Sequence, residues 1–211
     1  GSEMCIRDSA CGSGIFLEEA FAYLQDYCVQ WYICNGQTDH LIETGIDLYK
    51  LPLQEKKDIL CSCIYGIDID IHAVEVAKFS LLIKLIEDET APSVSEVVPI
   101  LPDLGDNIQF GNSLVSQTEL NGISGANRQM MEIAPFDWST INNGCGFDVI
   151  IGNPPYVNTE GMHALLPSAE VEVYKKKYKT SHKQFDKYFI FIEQAINKIN
   201  ENGLVCYIVP N

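Results

Sequence analysis

A short run of β-branched and aromatic residues, Phe147-Asp148-Val149-Ile150-Ile151, breaks into Gly152-Asn153-Pro154-Pro155-Tyr156. No other stretch restricts the path of the chain so tightly. The run reads as a buried strand. Two successive prolines have no N–H to donate to a sheet, so the strand must stop there. The stiff Pro-Pro pair then holds the Asn153 amide and the Tyr156 ring at the strand's carboxyl end. In open α/β sheets that end is where ligands bind. A strand followed by a plain Pro-rich turn would use the same four residues, so the rest of the chain has to decide.

Asn-Pro-Pro-Tyr resembles motif IV of methyltransferases that use S-adenosylmethionine (AdoMet) to methylate a planar nitrogen. Such a nitrogen is a poor nucleophile, because its lone pair is delocalised. An Asn side-chain oxygen and a backbone carbonyl can each accept one of its N–H bonds. That favours a pyramidal nitrogen with its lone pair aimed at the methyl group. A Tyr offers a π face on which the acceptor stacks and which attracts developing positive charge.

With 211 residues and 46% hydrophobic content, the chain can build a real core and is not disordered. No run approaches the length of a membrane span, and no signal peptide is visible. The eight cysteines, at 5, 11, 28, 34, 61, 63, 145 and 206, are scattered. Cys61 and Cys63 alternate along an expected strand, so their thiols face opposite sides. There is no C-x-x-C and no zinc-like spacing. This predicts free thiols in a reducing cytoplasm and no structural metal. A net charge of −15 excludes a general nucleic-acid-binding surface. Contact with DNA would need a local basic patch, or a segment outside this chain.

In chain order, Glu3-Met4-Cys5-Ile6-Arg7 carries two charges where a first strand should be apolar. The chain also begins immediately before its first motif, so a truncated or junction-derived start is expected. Asp8-Ser9-Ala10-Cys11-Gly12-Ser13-Gly14 follows, and Phe16, Ala20, Leu24, Tyr27 and Trp31 then keep helical spacing. Glycines allow close approach of backbone to ligand, and a helix amino terminus offers free N–H groups. The stretch resembles motif I, Asp-x-x-x-Gly-x-Gly, with Ser9 where that family usually has Pro. Any tight strand-to-helix turn could show Gly-x-Gly.

Residues 35–60 read as loop and one short helix. From Ile59 an apolar run leads through Ile64-Tyr65-Gly66-Ile67 to Asp68-Ile69-Asp70. Asp70 is a good helix N-cap, and Val74, Ala77, Leu81, Leu82 and Leu85 mark the buried face of the helix behind it. Asp68 sits at a strand end after a glycine loop, where an acid can accept both ribose hydroxyls of a nucleoside. It resembles motif II. Residues 89–106 are a Pro- and Ser-rich loop. Asn107–Leu114 is a short strand ending in Gly111-Asn112 and resembles motif III. There the family often has Asp, and an Asn oxygen accepts the same bond from the cofactor's adenine; Gly-Asn is equally a plain turn.

Residues 115–146 have weak periodicity and read as a long loop, functional or disordered, with Phe136 and Trp138 tucking it onto the core. Tyr174-Lys175-Lys176-Lys177-Tyr178-Lys179, followed by His182, Lys183 and Lys187, is the one basic cluster. Lysines neutralise phosphates and aromatics pack on sugars or bases, although most charge runs are solvated helix faces. Phe185, Phe189, Ile192, Ile196 and Ile199 predict an amphipathic helix, and Leu204–Val209 a buried strand. Asp186-Lys187-Tyr188 and the strand after Gly203 resemble motifs V and VI.

Strands and helices alternate, so the expected fold is α/β with a mostly parallel twisted sheet, in a single domain over 1–211. The ordered motifs resemble N6-adenine DNA methyltransferases, above all the large restriction–modification type. That resemblance implies a Rossmann-like sheet of seven strands, of which this chain supplies 1 to 5, with no target-recognition domain or subunit. The strand Leu204–Val209 would then have an open apolar edge, and the isolated chain is expected to be weakly stable and inactive. The resemblance further implies AdoMet as cofactor, held by Asp8, Ala10, Cys11, Gly12, Gly14, Asp68, Ile69, Asn112 and Ser113. Asn153, the carbonyl of Pro154, Pro155 and Tyr156 would grip a flipped adenine of duplex DNA, and Lys175, Lys176, Lys177 and Lys179 would face the backbone. No metal, general base or membrane is implied. The rivals are a release-factor glutamine or RNA N-methyltransferase and an inactive AdoMet-binding remnant.

Overall fold

The computed structural model describes residues 4–90, 97–141 and 146–210. Expectations for Glu3, Cys145, Asn211 and the middle of the 89–106 segment lie outside that range. Strand β1 (Ile6–Asp8) is central and runs into the glycine turn that opens α1 (Ile15–Cys34). Gly14 caps this helix at φ 90°, and a Cβ on it would stand 2.9 Å from the Cβ of Ala77. A side chain there would meet both strain and a clash.

Residues 35–60 hold more structure than expected. An antiparallel hairpin, β2 (Ile42–Gly45) and β3 (Leu48–Lys50), precedes α2 (Leu53–Cys63). Cys61 and Cys63 therefore lie on a helix, where a strand was expected. Leu53, Leu60 and Cys63 are buried at helical spacing, and that packing outweighs the local alternation. Strand β4 (Ile64–Asp68) follows without a loop. Helix α3 (Ile71–Ile86) starts at Asp70, whose carboxylate accepts the N–H of His72 at 2.9 Å, as the N-cap reading predicts. Its buried residues are Val74, Ala77, Leu81 and Leu85, with Leu82 half-buried beside them.

Strand β5 (Ile108–Phe110) is three residues long. The segment behind it is not a slack loop where it is described. A capping box at Ser116 and Glu119 closes a short 3₁₀ turn, and α4 (Ala126–Ile133) follows. Leu114, Leu120, Ile123, Ala126 and Ile133 pack with Tyr174, Tyr178, Phe185 and Ile190 into a cluster of their own. Phe136 and Trp138 do join this segment to the core, in edge-on contact at 5.2 Å. The Trp138 Nε1–H donates to the Ser113 carbonyl at 2.7 Å.

Strand β6 (Phe147–Gly152), α5 (Thr159–Leu165), α6 (Ser168–Lys177), α7 (Lys187–Lys198) and β7 (Ile199–Tyr207) complete the order. The sheet runs β5-β4-β1-β6-β7 with every neighbouring pair parallel. This is the expected α/β fold with five strands. Connections leave β1 toward β4 and β5 and return to β6 and β7, so the order reverses between β1 and β6. Ligand crevices of open α/β sheets form at that point.

Two surprises have physical causes. Arg7 in the central strand is fully buried: its guanidinium lies 3.8 Å from the Trp138 ring centre and 5.0 Å from that of Phe147. Its Nε and Nη2 donate to Ser9 Oγ at 3.2 and 2.7 Å. Burial lowers its pKa to about 10, and cation–π contact partly offsets the desolvation. Strand β7 is an edge strand with Leu204 68% exposed, which agrees with the open apolar edge expected for it and not with its reading as a buried strand. Correspondingly, α7 buries Ile190, Phe191, Gln194 and Ala195, while Phe189 and Ile196 of the expected apolar face are exposed. No described helix is long and apolar enough to cross a membrane.

Candidate active site

The carboxyl end of β4 and the glycine turn are stitched together. Cys11 N–H donates to Ile67 O at 3.0 Å, and Gly12 N–H to Asp68 Oδ2 at 2.8 Å. The other oxygen of Asp68 accepts the N–H of Asp70 at 2.9 Å. Each oxygen thus holds one backbone N–H and keeps further acceptor capacity. Cys11 is buried and its thiol pKa is pushed up, first by burial and then by Asp8 and Asp68, so it stays protonated.

Asp8 ends β1 and is also buried. Its Oδ1 accepts the N–H of Ala10 at 2.9 Å, while Oδ2 has no partner. Burial raises its pKa from 3.8 to about 7; the Ala10 N–H opposes the shift, and the charge of Asp68 adds to it. Gly152, at the end of β6, comes so close that a Cβ on it would stand 2.5 Å from Asp8 Oδ1.

Between the ends of these strands lies a cleft of about 260 Å³. Ser9, Ala10, Asp68 and Ile69 line one part of it, Asn112 and Ser113 another, and Asn153 and Pro155 a third. The structure therefore gathers residues of motifs I to IV into one crevice. Of the residues that line it, Phe191 escaped sequence reasoning, and Lys187 was read only within motif V and the basic cluster. They lie four residues apart on α7, hence on one face of the helix. That spacing was the available signal, masked by counting Lys187 with the basic cluster.

Asn112 is buried behind this cleft. Its Nδ2 donates to Glu170 Oε1 at 2.9 Å, and its Oδ1 accepts the N–H of Leu114 at 3.1 Å. Tyr174 donates its hydroxyl hydrogen to the same Glu170 oxygen, and Lys187 Nζ stands 3.5 Å from it. Burial lowers the pKa of Lys187, opposed by the Glu170 charge.

At the mouth, Tyr156 is 47% exposed. Its one hydroxyl hydrogen is shared between two acceptors, Asn153 Oδ1 and the Ile208 carbonyl, the latter at 2.9 Å. Its ring meets Tyr188 edge-on at 6.1 Å. This contact fixes the ring's position and leaves much of it open.

The basic run is divided. Lys176 pairs with Glu172 at 2.6 Å, and Lys175 Nζ stands 3.3 Å from His163 Nε2. Lys177 turns away, pairing with Glu119 at 2.8 Å and donating to Leu114 O at 2.9 Å. The backbone N–H of Lys179 donates to Glu193 Oε1 at 2.9 Å. Tyr174 and Tyr178, expected to reach sugars or bases, are buried in the core instead, with the Tyr178 hydroxyl on Leu114 O at 2.7 Å. Helical geometry sends them inward, because they follow Val171 and Ala169 on the buried side of α6.

Against known proteins, residues 62–211 match the profile of the Eco57I restriction-modification methylase family. The chain is similar to the type II restriction enzyme and methyltransferase RM.Eco57I of Escherichia coli, with 45% identity over 204 residues. The match takes in 97% of this chain and 19% of that relative, so the chain spans about a fifth of its length. Among solved structures, the DrdV–DNA complex has a TM-score of 0.55 at 18% identity, covering 98% of this chain and 17% of that one. The type IIL restriction-modification enzyme MmeI, solved with DNA, has a TM-score of 0.55 at 17% identity, covering 97% and 24%. These two likenesses concern the fold.

Proposed function

The chain belongs to the Eco57I restriction-modification methylase family, and we propose that it transfers a methyl group from AdoMet to the N6 amine of adenine in duplex DNA, as the methyltransferase part of a site-specific restriction–modification system. One observation carries the reading: Asp68, Asn112 and Asn153, on three different strand ends, open into the same cleft.

The residues fit a nucleoside cofactor. Asp68 has acceptor capacity left for ribose hydroxyls, Ile69 and Phe191 supply apolar surface, and Asn112 supplies an amide. Ala10, Cys11, Gly12 and Gly14 shape the backbone of the turn beside it, and Ser113 closes the wall. AdoMet, when bound, supplies an electrophilic methyl on a sulfonium. What the chain supplies is orientation and charge placement. Asn153 Oδ1 and the Pro154 carbonyl accept the two N–H bonds of the target amine and turn its lone pair toward the methyl. Pro155 stiffens that turn. Taking up the amine means displacing the Tyr156 hydroxyl from Asn153, after which the hydroxyl still has the Ile208 carbonyl. The open ring of Tyr156 stacks on the base.

An adenine amine is inside the duplex, so the base must be flipped out. The restriction-modification family to which the chain belongs supports DNA as the substrate. Lys175, Lys176 and Lys179 are exposed and adjacent on or just past α6, where they would neutralise phosphates. Lys177, tied to Glu119, contributes least. The protein would act in the cytoplasm, where DNA is accessible. Transfer of labelled methyl from AdoMet to duplex DNA, followed by nucleoside analysis, tests the reading: label is expected in N6-methyl-2′-deoxyadenosine. Label in protein glutamine or on cytosine would overturn it.

A further inference from the structure

An Asn in place of an acid at the end of β5 raises a question that an acid would not. A carboxylate can only accept hydrogen bonds, but an amide presents either an acceptor or a donor, depending on which way it is turned. The structure answers through residues far away in sequence. Asn112 Nδ2 donates to Glu170 Oε1 at 2.9 Å, and Asn112 Oδ1 accepts the Leu114 N–H at 3.1 Å. A carboxylate never donates and a backbone N–H never accepts. Turning the amide over would set acceptor against acceptor and donor against donor.

Glu170 is 1% exposed and does not line the cleft, whereas Asn112 and Lys187 do. A buried carboxylate is costly unless it is paired and hydrogen-bonded. Here Asn112, Tyr174 and Lys187 all converge on one oxygen of Glu170. Buried ion pairs contribute little net stability, and specifying one arrangement is their best-supported use.

We propose that Glu170 is a positioning residue for nucleoside recognition: by holding the Asn112 amide hydrogens it makes a carbonyl oxygen the group that Asn112 adds to the cleft, selecting the exocyclic amine of adenine over the carbonyl of hypoxanthine. This rests on the cofactor reading above. Lys187, from α7, brings a cation to within 3.5 Å of that same oxygen. A network that merely joined α6 to α7 would stabilise the fold without sensing the base.

The test compares S-adenosylhomocysteine with S-inosylhomocysteine by calorimetry. The unaltered protein should prefer the adenosyl ligand by about tenfold or more, since a mismatch leaves a buried polar group unpaired. In Glu170→Gln the side chain can donate as well as accept, so only the Leu114 N–H still opposes the turned-over amide, and the preference should fall to about threefold or less. Asn112→Asp alone should weaken both ligands, because two carboxylates would share one buried site. Combining Asn112→Asp with Glu170→Gln should restore binding and adenosyl preference, and this pair decides the matter if Glu170→Gln does not fold. A preference unchanged in Glu170→Gln, or a double variant no better than Asn112→Asp, would overturn the assignment of Glu170 while leaving the cofactor reading intact. Failure of the unaltered protein to bind the adenosyl ligand would overturn both.

Discussion

Asp68 Oδ2 accepts the N–H of Gly12 at 2.8 Å, so the last residue of β4 holds the glycine turn that follows β1. One carboxylate therefore shapes the loop and also faces the cleft beside Ile69. Its two duties make it the most exacting position in the cofactor half of the site.

Asp68→Ala removes the anchor of the turn together with the ribose acceptor. Hydrogen bonds to a charged group contribute roughly 1.5–3 kcal/mol each. AdoMet affinity should fall by at least about tenfold, read by calorimetry, and the melting temperature should drop as well. Unchanged affinity would remove Asp68 from the site.

Asp8 gives the stability a pH dependence of known sign. Burial raises its pKa from 3.8 to about 7 in the folded protein. The folded state then holds the Asp8 proton more tightly than the unfolded state does. The contribution of Asp8 to stability is most favourable below pH 3.8 and declines as the pH rises toward 7. The neighbours acting on it are Asp68, which adds to the shift, and Arg7, which opposes it. Asp8→Asn should flatten the difference in melting temperature between about pH 5 and about pH 8. An identical pH slope in the variant would contradict the assignment.

Gly14→Ala tests the turn without touching a charge. The position has φ 90°, and the new Cβ would lie 2.9 Å from that of Ala77. A loss of about 1–3 kcal/mol is expected from the strain and the clash together, read by denaturant unfolding. Full stability would mean that α1 and α3 can move apart at no cost.

The parts of the fold that could be read in advance are those where local chemistry forces a turn. Pro154-Pro155 must end β6, Gly12 and Gly14 must open α1, and Asp70 must cap α3, so the carboxyl ends of these strands could be read as the place of the crevice. Where the determinants are distant in sequence, reading failed. Arg7 can be buried only because Trp138 and Phe147 bring rings to it. Leu120 and Ile123 stand singly among polar residues and glycines, and join Leu114 and Ile133 in a core only when α6 and α7 close over them. Tyr174 and Tyr178 sit between lysines, yet the turn of α6 decides their direction. Glu170 carries no local mark at all; its meaning lies in Asn112, 58 residues earlier.

Tyr156 separates stacking from hydrogen bonding. Its hydroxyl contacts Asn153 and Ile208, but its exposed ring is the part assigned to the base. Tyr156→Phe should keep much of the methyl transfer, while Tyr156→Ala should lose more, because base–aromatic stacking contributes about 1–3 kcal/mol per base. Equal losses in the two variants, in a labelled-methyl assay, would place the function of Tyr156 in its hydroxyl.

The account stands most directly on Asn153. Asn153→Ala removes the acceptor for the target amine and leaves Asp68, Ile69 and Asn112 in place. The measurement is transfer of labelled methyl from AdoMet to duplex DNA by the full-length protein and its Asn153→Ala variant, with AdoMet binding recorded for both. The account predicts near-complete loss of label in N6-methyl-2′-deoxyadenosine with AdoMet affinity unchanged. Transfer that persists in Asn153→Ala, or label recovered in a protein glutamine with none in DNA, would contradict it.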